Sequence, residues 1–98
     1  MHRRNYEKKE TYQLNTEFEM RELGGEFVAV KRGEQEADPS RVVFLNERCI
    51  YLWGCLEDGH TLSEMVKMLM NKFEIDDEEA EADVGEFIGK LKNSGMLE

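Results

Sequence analysis

Three residues of the kind that cap helices, Asn46, Thr61 and Asp76, each stand directly ahead of a stretch with helical periodicity. Behind Asn46, the apolar residues Cys49, Leu52, Trp53 and Leu56 fall at i, i+3, i+4 and i+7, and Asp58-Gly59 ends the run, so a helix is predicted over 47–56. Thr61 and Glu64 have the T-x-x-E spacing of a capping box, and Leu62, Met65, Val66, Leu69 and Phe73 repeat behind them on one face. Asp76 and Glu79 offer a second such box for a helix over 78–93, whose stripe is Ala80, Val84, Phe87, Ile88 and Leu91 and whose stop is Gly95. Three short helices with short links, each apolar on one side only, must bury those sides against something else.

The something else lies upstream. "FEMREL" and "EFVAVK" flank Gly24-Gly25, and a two-glycine link between alternating segments predicts a hairpin, because both linking residues can take positive φ. The charged stretch "RGEQEADPS", with the chain's one proline at Pro39, reads as a connection into a third strand, Arg41 to Leu45. The order is therefore β-β-β-α-α-α, an α+β fold of winged helix-turn-helix type in which a three-stranded antiparallel sheet is followed by three helices. Residues 1–16 show no period and are read as a disordered or loosely docked arm, leaving 17–98 as the domain.

With 98 residues, 40% of them hydrophobic, the chain can build one modest core. Its formal charge of -9 opposes non-specific attraction to nucleic acid or anionic lipid. The charge is uneven: residues 1–33 hold seven Lys/Arg against six Asp/Glu, and residues 34–98 hold six against sixteen. No apolar run reaches the roughly 20 residues of a membrane span, and no hydrophobic segment follows the basic N-terminus, so a cytoplasmic protein is expected. Cys49 and Cys55 point about 120° apart on one helix and are expected as buried thiols rather than a disulfide. Neither His2 nor His60 stands at ligand spacing from them, so no metal site is expected. Catalytic triads, paired carboxylates and phosphate-cradling loops are missing too, and the expectation is a protein with no cofactor that is not an enzyme.

Two features suggest binding. The segment from Arg41 to Leu45 lacks the internal charges or proline that blunt an exposed sheet edge, so it can accept a partner strand. An extended peptide, the chain's own arm and a second copy of the chain are all candidates for that edge. In the third helix, Ala82, Gly85 and Gly89 form a strip without bulk, at a cost of about 1 kcal/mol for each glycine relative to alanine. The strip is read as the floor of a peptide groove beside Val42 or Phe44, with close packing against the other helices as the alternative. The acidic run from Asp76 to Glu86 complements the helix dipole, and it would meet phosphates with its own carboxylates if this helix entered a DNA groove.

The segments "VFLNERCIYLWGCLEDGHTLSEMVKMLMNKFEI" and "EADVGEFIGKLKNSGMLE" resemble the PqqD family of precursor-peptide recognition elements. The pattern is a strand ending in Leu-Asn, a helix, an Asp-Gly turn, a T-x-x-E opening and a last helix closing in "GML", spanning about 26–98. Cys49 and Ile50 stand where that family more often has small residues. The resemblance implies three strands on three helices, no catalytic residues, and a leader peptide added to the third strand in a groove between it and the last helix. It also implies a modifying enzyme as second partner, a radical S-adenosylmethionine maturase in the PQQ pathway. The expected peptide-binding residues are Arg41, Val42, Val43, Phe44, Ala82, Gly85, Glu86 and Gly89. The competing readings are a winged-helix transcriptional regulator and a scaffold that self-associates, as a homodimer for example, through the same edge.

Overall fold

The computed structural model describes residues 11–33 and 42–98. Strands β1 (Phe18–Leu23) and β2 (Glu26–Lys31) form the hairpin around Gly24 and Gly25, whose φ values of 59° and 86° are both in the left-handed region that a tight two-residue turn demands. β3 (Val43–Leu45) pairs antiparallel with β2, giving the sheet order β1-β2-β3. It is shorter than the predicted strand: Val42 precedes it, and Arg41 and the proline-containing connection lie outside the described residues. The helices follow as α1 (Glu47–Glu57), α2 (Leu62–Phe73) and α3 (Asp77–Asn93). The α+β order is thus as expected, and the winged-helix likeness holds only as a loose description.

Local chemistry fixes the helix starts. Asn46 accepts a hydrogen bond from the Cys49 amide at 2.9 Å, and Asp76 accepts one from the Glu79 amide at 2.8 Å. Thr61 and Glu64 form the full reciprocal box, with Glu64 N–H donating to Thr61 Oγ1 at 3.1 Å and Thr61 N–H donating to Glu64 Oε1 at 2.8 Å. That amide, together with His60 Nδ1 at 3.3 Å, holds the Glu64 carboxyl below its ordinary value. His60 therefore serves the turn. At the other end of α2, Glu74 takes a left-handed φ of 54°, a conformation that sequence reasoning did not anticipate in a non-glycine residue.

Cross-strand register divides the sheet faces. Phe18, Met20, Phe27, Ala29, Val43 and Leu45 share the face that meets the helices. Against them pack Leu52 and Trp53 of α1, Met65 and Leu69 of α2, and Phe87 and Leu91 of α3, all buried. Met68, which falls off the α2 stripe and so could be read as a contact residue, is half-buried against this core. Cys49 and Cys55 are buried free thiols, and burial raises the pKa of both. On the opposite face Val28 and Val30 are buried, whereas Leu23 and Phe44 are 42% and 55% exposed.

The described part of the expected arm is docked. Leu14 bridges Leu97, flanked by hydrogen bonds of 2.8 Å from Asn15 N–H to the Met96 carbonyl and from Glu98 N–H to the Gln13 carbonyl. Tyr12 and Leu14 pack on the core, with the Lys92 ammonium over the Tyr12 ring at 4.9 Å. Residues 1–10 lie outside the described residues. The docked segment therefore sits at the C-terminal end of the chain and pairs with residues there rather than with β3.

Candidate functional site: the β3 margin and its groove

Both outer strands of a three-stranded sheet have one unpaired side, so the two margins must be compared. β1 carries Glu19, Arg21 and Glu22, and its Glu19 bonds Arg21 at 2.6 Å and Arg32 at 3.2 Å. Such charges blunt an edge against a further strand. β3 is Val43-Phe44-Leu45, with no charge, and among the described residues only β2 pairs with it. Of the two margins, that of β3, unpaired among the described residues, is therefore the chemically receptive one.

Beside this margin is an open depression whose lining comes from both the sheet and the helices. Phe27 and Glu26 contribute from β2, Phe44 and Leu45 from β3, Asn46, Glu47 and Ile50 from the start of α1, and Lys90 from α3. Its walls are mostly apolar. Arg48 braces α1 against α3 near this end by bonding both Glu79, at 2.7 Å, and Asp83, while its guanidinium stands 5.6 Å from the Phe73 ring. The two carboxylates raise the pKa of Arg48 further, so this brace stays charged.

The sequence-predicted site residues are only partly brought together. Phe44 lines the depression, and Val43 lies next to it on the helix-side face of the sheet. Val42 is half-buried just before β3, and Arg41 lies outside the described residues. Glu86 reaches Lys90 at 3.9 Å, which brings it to the border. The small strip is elsewhere. At about 100° per residue, Ala82, Gly85 and Gly89 lie roughly 150° around α3 from its buried stripe, and they do not line the depression. A Cβ placed on Gly85 or Gly89 meets nothing within 4 Å, so close helix packing does not account for the glycines. Consequently Gly85→Ala and Gly89→Ala are each expected to stabilise the fold by about 0.5–1 kcal/mol, read as a higher melting temperature. Phe27, Leu45, Ile50 and Lys90, which line the depression, were not among the residues expected from sequence. Ile50 lies off the α1 core stripe, which was the available signal.

Among the described residues no helix is long and apolar enough to cross a membrane, and no group of three His, Cys, Asp or Glu side chains could hold a metal ion. A buried core carried by three helices and a three-stranded antiparallel sheet define a small α+β domain, and among the described residues the outer side of its uncharged strand β3 has no strand partner. The family model for coenzyme PQQ synthesis protein D (PqqD) matches residues 28–97, most of the chain, and the protein belongs to the PqqD family. Members of this family are non-catalytic accessory proteins, and membership implies a peptide-binding partner role in PQQ biosynthesis. Neither the curated proteins nor the solved structures include a match to the chain.

Proposed function

We propose that this chain binds the leader segment of a ribosomally made precursor peptide as an added strand on β3 and presents it to a modifying enzyme, a radical S-adenosylmethionine maturase. The observation that carries this reading is the uncharged free margin of β3 with the apolar depression beside it. Main-chain pairing asks little of the peptide sequence, and a three-residue edge offers few such bonds. Side-chain burial in the depression must therefore supply much of the affinity and most of the selectivity.

The acidic exposed side of α3 suits a maturase surface bearing Lys or Arg and repels a DNA backbone. Fluorescence anisotropy with the labelled leader segment of a candidate precursor peptide tests the proposal. Saturable binding of the leader, with no binding of a DNA duplex at the same modest salt, is expected. Binding of the duplex alone would favour a regulator. Self-association of the free chain that the leader does not reverse would favour a scaffold using the same edge.

A further inference from the structure

The depression beside β3 has a charge pattern that selects among peptides. Its apolar lining, from Phe27, Leu45 and Ile50, is joined among the described residues by one cation, Lys90, in a chain of formal charge -9. Lys90 is half-buried, its side chain 39% exposed, and among the described residues its one carboxylate partner within 4 Å is Glu86, 72% exposed at 3.9 Å and too far for a tight pair. The two carboxylates that also line the depression, Glu26 and Glu47, are both exposed and well solvated. A partly desolvated cation interacts more strongly with an incoming charge than solvated ones at the rim do.

Resting on the leader-binding reading above, we infer that Lys90 is a specificity-determining residue that recognises an Asp or Glu of the bound peptide next to an apolar side chain seated in the depression. An added strand directs residues i and i+2 to the same face, about 7 Å apart. The acidic residue therefore falls two positions from the apolar one. A guest carboxylate gives Lys90 the close partner that Glu86 does not, while the chain's overall negative charge disfavours peptides that are acidic throughout.

The probe is a displayed library of random decapeptides, selected in parallel on the full-length protein and on its Lys90→Glu and Lys90→Met variants. Unchanged circular dichroism and melting temperature first establish that both variants fold. Peptides enriched on the wild type are expected to carry Leu, Ile or Phe with Asp or Glu two positions away. Lys90→Met should lose the acidic preference, and Lys90→Glu should replace it with Lys or Arg. For a matched peptide the affinity lost on Lys90→Met should be up to about fivefold, the range of a partly exposed ion pair. The same charge distribution on all three proteins would overturn the role of Lys90 while leaving strand addition intact. Failure of any peptide to enrich on the wild type would overturn the leader-binding reading and this inference with it.

Discussion

Phe87→Ala is expected to remove about 3–5 kcal/mol of stability, a large share of what a domain of this size possesses. Phe87 is 1% exposed and is among the largest fully buried side chains, together with Trp53 and Leu52. It belongs to the α3 stripe that closes the core under the sheet, and neighbours on α1 and α2 cannot refill an aromatic ring's volume without moving. A thermal melt followed by circular dichroism should show the midpoint falling by about 12 °C or more. A loss of less than about 1 kcal/mol would mean that α3 is not seated as described. The proposed binding margin would suffer too, because α3 supplies Lys90 to the depression and Glu79 and Asp83 to the Arg48 brace.

Phe44→Ser should have a different signature, with only a modest loss of stability and peptide affinity sharply reduced. Phe44 is 55% exposed, so more than half of its surface stays in water in the folded protein and truncation costs about 1–2 kcal/mol of stability, well short of the loss at Phe87. An added strand would place a guest residue beside it at cross-strand distance and cover the remaining ring surface, a gain of about 2 kcal/mol or roughly thirtyfold in affinity. Leader anisotropy and a thermal melt on the same protein separate the two effects. Unchanged affinity would remove Phe44 from the site, and a large loss of stability would show that its surface is already covered in the free protein.

The parts of this molecule that were legible in its sequence are those governed by local chemistry. Asn46, Thr61 and Asp76 cap the helices they were expected to cap because a cap is settled within four residues. Gly24-Gly25 dictates its hairpin for the same reason. The apolar stripes of α2 and α3 became the core because helical periodicity assigns a face before any partner is known. What depends on distant partners was not legible. The docking of Leu14 on Leu97 joins opposite ends of the chain through a single bridge, which leaves no period to read. Nor does local sequence announce the left-handed turn at Glu74, where no glycine stands.

The candidate site divides along the same line. Phe44 could be selected because an uncharged strand is visible in sequence. The glycine strip of α3 was placed on the groove because it lacks bulk, yet the turn of the helix directs it to open solvent, and Lys90, one residue after Gly89, takes the position at the depression. Absence of bulk identifies a smooth surface without saying what faces it. The sheet and the start of α1 determine that, and their arrangement is a tertiary property.

The central claim is that the outer side of β3 stays unpaired until a peptide occupies it. Residue-resolved amide hydrogen exchange of the full chain, recorded by NMR with and without the leader peptide, tests it most directly. In the free protein, those amides of 42–45 that point away from β2 should exchange quickly while the amides of β2 are slow. Saturating leader should slow the former selectively. Strong protection of the outward amides before any peptide is added, or leader binding that leaves their exchange unchanged, would contradict the account.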